Sequence, residues 1–214
     1  MSDFLSLSLV YIVFIGAACS PGPDFFMVLR NSIGFSARAG VFTALGISLA
    51  LSMHMAYSIA GVGFIITKSV FLFSTIKIIG ALYLIYIGVS AFRSAGISLK
   101  KMNDKAKEQI NTMSTKSDFH AFRDGAVTNF FNPKAAMFFI ALFSQMLDQT
   151  LPLEVLTGFA AFCMGTAFIW FSFVAFIMSY APVRKLYARS SKAINNVFGV
   201  FFVLLGLKLA LTKF

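Results

Sequence analysis

From Phe4 to Leu29 the chain carries a single charge, Asp24, and is interrupted by Ser20-Pro21-Gly22-Pro23-Asp24. Without that interruption it would cross a membrane as one helix. Proline removes a backbone donor and its ring crowds the preceding turn, so two prolines flanking a glycine predict a break. Lipid offers no water to the freed backbone groups, so such a break persists only where protein or a wet cavity covers it. A kink that merely shapes helix packing is the plain alternative. It explains less once a second break appears in the other half of the chain.

Five further apolar stretches follow, at about 40–67, 70–92, 126–147, 153–180 and 193–211. Each reaches or nears the ~20 residues that a helix needs to cross the hydrocarbon core. A chain that is 58% hydrophobic and 12% charged, with 27 phenylalanines, cannot hide that surface in a soluble fold. The expected fold is an all-α integral membrane protein of six transmembrane helices. A polar segment, 93–123, separates a first three-helix repeat, 1–92, from a second, 124–214. No lysine or arginine precedes Arg30, so the basic start of a cleaved signal peptide is missing and the first span is expected to stay.

The net charge of +10 would suit nucleic acid, but the basic residues gather between the apolar stretches, which marks membrane orientation instead. Arg30 and Arg38, the seven from Arg93 to Arg123, and Arg184, Lys185, Arg189 and Lys192 fall on one face. Lys68, Lys77, Lys208 and Lys213 are left for the other. The basic face is expected to be cytoplasmic, with both termini outside and the membrane lipid as the surrounding partner.

The second break is Asn132-Pro133-Lys134, inside the fourth stretch. Asparagine caps a helix and proline suits its first position, so a half-helix is expected to begin there. An offset of 112 residues lays Pro133 on Pro21 and Gly158 on Gly46. Three spans per half give the copies opposite orientations. Helices 1 and 4 would then both be broken at the midplane, which is the pattern of a transporter binding site. Two half-helix N-termini make a region of positive potential that suits a carboxylate. Asp24 and Lys134 lie beside the breaks, where a charge at the bilayer centre costs at least ~2.5–3.5 kcal/mol. They either face a cavity or neutralise each other. His54, midway along the second stretch, is a proton-carrying candidate or a hydrogen-bonded packing residue.

Two ridges of small residues are expected to pack against other helices: Gly40, Ala44, Ser48, Ser52, Ala56 and Ala60, and a shorter one of Thr157, Ala161 and Gly165. Cys19 and Cys163 read as small buried hydrophobes. No metal or cofactor is expected, nor nucleic acid as a partner, nor an enzymatic activity.

At these residues the chain resembles the LysE/RhtB-type amino-acid exporters. Ser20 to Phe26 with Gly34, Gly40 and Gly46 is similar to the first half of that family. Gly125, Asn129, Asn132 to Ala136 and Phe139 resemble the start of its second half, and the run Gly80 to Gly88 is also family-like. The resemblance implies proton-coupled export of small neutral amino acids or derivatives, of threonine, homoserine or homoserine-lactone type, from the bacterial inner membrane. Asp24 followed by Phe25-Phe26 resembles the threonine-exporter branch. The expected substrate-binding residues are Ser20, Pro21, Gly22, Pro23, Asp24, Asn129, Asn132, Pro133 and Lys134, with Asp24, Lys134 and His54 as proton-coupling candidates. A homodimer is compatible with this reading. The competing function is a membrane thiol–disulfide electron carrier using Cys19 and Cys163, against which stands the distance in sequence of Cys163 from the second break.

Overall fold

The computed structural model describes residues 2–68, 70–93, 116–146 and 152–211. Among them are eight helices and no strand: α1 (Ser2–Cys19), α2 (Pro23–Gly34), α3 (Ala37–Lys68), α4 (Val70–Arg93), α5 (Asp118–Phe130), α6 (Pro133–Met146), α7 (Leu153–Ser179) and α8 (Ala181–Leu211).

Both expected breaks are present. The apolar part of α1 and the helix α2 meet at an angle of 46° across Ser20 to Gly22. Pro23 begins α2 at a position whose N–H would be unpaired anyway, and Asp24 adds an acid to the first turn. In the second half, α5 stops at Phe130 and α6 restarts at Pro133, with the Asn132 side chain accepting from the Lys134 N–H at 3.0 Å. The proline-and-cap reading holds at the second break. At the first, α2 starts at Pro23 after Gly22 with no side-chain cap, and the Ser20 hydroxyl donates to Ala17 O instead of capping it.

Several boundaries differ from expectation. Arg30 is not in a turn: α2 runs on to Gly34, and the connection is Phe35-Ser36. Arg184, Lys185, Arg189 and Lys192 do not form a connection either. They lie on the first turns of α8, which starts at Ala181 directly after Tyr180. Here helical continuity outweighs the change from polar to apolar, which had suggested a span boundary near Ala193. The segment expected as a linker falls largely on 94–115, outside the described residues. Its end is structured, because Ser117 accepts the His120 N–H at 3.3 Å and caps α5.

Among the described residues four helices are long and apolar enough to cross a membrane, at Ala37–Gly61, Ser74–Arg93, Leu153–Ser179 and Ala181–Leu211, with the α1–α2 pair as a fifth if the bent pair is one span. The expected fourth span does not pass as one crossing. It is divided between the end of α5, which stops at Phe130, and α6, whose described side chains over Pro133–Leu142 are apolar apart from Lys134.

The ridge on α3 is half right. Gly40, Ala44 and Ser48 are buried, whereas Ser52 is half-buried and Ala56 and Ala60 are exposed. Burial shifts around the helix to Ile47, Leu51, His54, Met55 and Ser58 as the neighbour changes from α5 to α6 and α7. On α7 the ridge fails, since Thr157, Ala161 and Gly165 are exposed. The closest approach lies elsewhere. A Cβ on Gly46 would stand 2.0 Å from the Phe122 carbonyl oxygen, and one on Gly125 would stand 2.1 Å from that of Thr43. Thus α3 and α5 touch backbone to backbone, which only glycine permits.

Candidate functional site

Each proline leaves one carbonyl without its helical donor, that of the residue four positions earlier. In the first break that carbonyl is Ala17 O. It accepts from the Ser20 hydroxyl at 2.8 Å and from the Lys134 ammonium at 3.3 Å. In the second break it is Asn129 O, which accepts from the Asn132 N–H at 2.9 Å and from His54 Nε2 at 2.8 Å. A basic side chain from another helix thus completes each break.

Lys134 reaches from the start of α6 to the end of α1. Besides Ala17 O its Nζ donates to Ser20 O at 3.2 Å and to Ser20 Oγ. An ammonium has three protons, and three oxygens receive them. Those oxygens stand at the C-terminal, negative end of α1. A Cβ on Gly22 would approach Lys134 Nζ to 3.2 Å, so glycine there keeps the lysine's path open.

Asp24 makes the opposite journey, from the first turn of α2 to the second break. Its Oδ2 accepts from Asn129 Nδ2 at 3.0 Å and Asn132 Nδ2 at 2.9 Å. Its Oδ1 is buried and has no hydrogen-bond partner. Asn129 Oδ1 is likewise buried without one. The two sockets correspond: positions 17 and 20 receive Lys134, and positions 129 and 132, the same places at the offset of 112, receive Asp24. Asp24 and Lys134 form no direct ion pair with each other; each reaches across to the break of the other half.

A cavity of about 50 Å³ lies between the breaks, enough for ordered water. Ser20, Gly22, Asp24, Asn132 and Lys134 line one part of it. Of the atoms left without a partner among the described residues, Asp24 Oδ1 alone belongs to a lining residue. Phe14, Leu51, Phe138, Phe139 and Phe171 supply most of the remaining wall. Sequence reasoning named Phe139 through the family resemblance but missed Phe14, Phe138 and Phe171, because phenylalanine is so common here that composition singles none out. Their one signal is position: Phe138 and Phe139 follow Pro133 by five and six residues, one and a half turns into α6.

His54 is buried and does not line the cavity. Since a carbonyl only accepts, Nε2 carries the proton toward Asn129 O, and Nδ1 faces the Tyr57 hydroxyl at 2.5 Å. Asn129 and His54 thus stand behind the cavity wall. Pro21, Pro23 and Pro133 contribute through the backbone, by ending and starting helices. Cys19 and Cys163 are free thiols on different helices, and neither lines the cavity. Among the described residues no cluster of three or more His, Cys, Asp or Glu suits a metal ion.

A second polar cluster ties the other ends of these helices together. Lys116 pairs with Asp124 and donates to Asn31 Oδ1 at 3.0 Å, while Asn31 Nδ2 donates to Thr43 Oγ1 at 2.8 Å. Arg38 meets Asp118 at 2.6 Å on the exposed side. These contacts join α2 and α3 to α5.

The profile of the LysE type translocator family matches residues 15–213. The uncharacterized membrane protein YrhP of Bacillus subtilis is 31% identical over 196 residues, covering 90% of this chain and 92% of its own. The threonine efflux protein of Escherichia coli K12 is 29% identical over 210 residues, 98% of both chains. The leucine efflux protein of Salmonella choleraesuis is 30% identical over 200 residues, 89% of this chain and 87% of its own. No solved structure matches.

Proposed function

The chain belongs to the LysE type translocator family, and from that premise we propose that it is a secondary active exporter of small neutral amino acids or their derivatives, driven by the proton gradient across the bacterial inner membrane. One observation carries the reading: a buried carboxylate oxygen, Asp24 Oδ1, with no partner, in the wall of a cavity between two broken helices. A buried carboxylate oxygen left bare in this way is costly unless a ligand or a proton meets it. In the proposed cycle the cavity, which in this state has room for water alone, widens and the substrate ammonium meets Asp24 Oδ1. Its carboxylate meets the first turn of α2, where no side chain caps the free N–H groups. When substrate leaves, a proton takes the ammonium's place on Asp24. Lys134 holds the end of α1 in this conformation and is free to meet the carboxylate only when that helix moves.

The repeat supports the same reading. The offset of 112 lays α1–α2 on α5–α6, α3 on α7 and α4 on α8, with the breaks in register. We take these as inverted three-helix repeats, giving six membrane-spanning units, with both termini outside as the basic residues suggest. A homodimer is compatible with it.

Counterflow in proteoliposomes tests the proposal. Vesicles preloaded with neutral amino acids are expected to accumulate the labelled ones. Asp24→Asn, which can still accept from Asn129 and Asn132 through its amide oxygen, is expected to fold and to lose counterflow. Parent-rate counterflow in that variant would remove the ammonium from this carboxylate.

A further inference from the structure

We infer that the site selects amino acids whose side chains are apolar and turns away those bearing a hydroxyl; the inference rests on the proposed export reading and refines its substrate. The polar capacity of the cavity wall is almost entirely committed. Both side-chain polar atoms of Asn132 are engaged, Nδ2 with Asp24 and Oδ1 with the Lys134 N–H. The Ser20 hydroxyl gives its proton to Ala17 O and accepts from Lys134. Lys134 has its three protons placed on Ala17 and Ser20. What remains for a ligand is Asp24 Oδ1 and the uncapped first turn of α2, with one N–H of Asn132 and one lone pair of the Ser20 hydroxyl beside them. An α-ammonium and an α-carboxylate occupy this polar end.

The side chain of the substrate is then left to Phe14, Leu51, Phe138, Phe139 and Phe171, together with Ala135. None of these offers a hydrogen bond. A methyl group placed there exchanges water for van der Waals contact, whereas a hydroxyl gives up its water and gains nothing. Valine and threonine have nearly the same shape, so the difference between them isolates that one term. A pocket of this kind discriminates against the added hydroxyl by up to about a hundredfold. The resemblance of Asp24-Phe25-Phe26 to the threonine-exporter branch implies the opposite preference, and competition between valine and threonine decides between the two.

Counterflow by the unaltered protein in proteoliposomes, with isosteric pairs as competitors, is the test. Valine against threonine and 2-aminobutyrate against serine are the probes, and leucine serves as a longer apolar member. The hydroxyl-free member of each pair is expected to compete at least about tenfold better. Threonine equal to or better than valine, with counterflow intact, would overturn the selectivity and leave the export reading standing. Absence of counterflow for every neutral amino acid would overturn the export reading, and this refinement with it.

Discussion

His54 and Lys134 fill equivalent vacancies, the carbonyls freed by Pro133 and Pro21, yet their surroundings assign them different work. Lys134 lines the cavity, while His54 is buried behind it with both ring nitrogens engaged. A strut needs only a donor toward Asn129 O. His54→Leu is therefore expected to lower unfolding stability by about 1 kcal/mol, and His54→Gln, which retains a donor, to recover most of it. His54→Gln should also keep export dependent on an imposed pH gradient. Loss of that dependence in a well-folded variant would make the imidazole a proton carrier. At this scale the charges and caps were legible, because Asp24, Lys134, Asn129 and Asn132 stand out in apolar surroundings. Their pairing was not. Contacts such as Asn129 to Asp24, 105 residues apart, leave no local trace in the chain.

Among the helices, the breaks were readable because proline and asparagine act locally. The packing was not, because a small residue says that close approach is allowed without saying which helix takes advantage. Gly46 and Gly125 illustrate the difference: each faces the backbone of the other's helix at contact distance. Gly125→Ala must separate α3 from α5 and disturb the Thr43 to Asn31 contact beside it. A loss of ~1–3 kcal/mol, as for overpacking in a close-packed core, is expected from the added methyl, measured by thermal unfolding in detergent. Gly158→Ala, at the position of α7 that corresponds to Gly46, has open space around it and is expected not to lower the melting temperature. A melting temperature for Gly125→Ala as high as that for Gly158→Ala would mean that helix propensity, which favours alanine, decides the outcome and the contact does not.

That inequality between corresponding glycines extends to the molecule. If the halves are inverted copies, α3 against α5 and α7 against α1 are the same contact on opposite sides of the cavity. The first is closed backbone to backbone and latched by Arg38–Asp118. The second has open space at Gly158, with Tyr11 reaching Thr166 at 2.9 Å. On the proposed orientation this is a state closed toward the cytoplasm, and export requires α3 and α5 to part. A short thiol-reactive cross-linker with a cleavable spacer, joining Arg38→Cys to Asp118→Cys in a background without Cys19 and Cys163, should stop export until the spacer is cut. Continued export with the link in place would exclude this movement. The claim on which everything else depends is that Asp24 and Lys134 are transport groups and not a structural pair. Export by the double variant Asp24→Asn with Lys134→Gln measures it most directly. Structural neutralisation alone would be satisfied by removing both charges, since it is the single removals that leave a buried charge uncompensated. The account predicts a double variant that inserts, folds and exports nothing; export near the parent rate would contradict it.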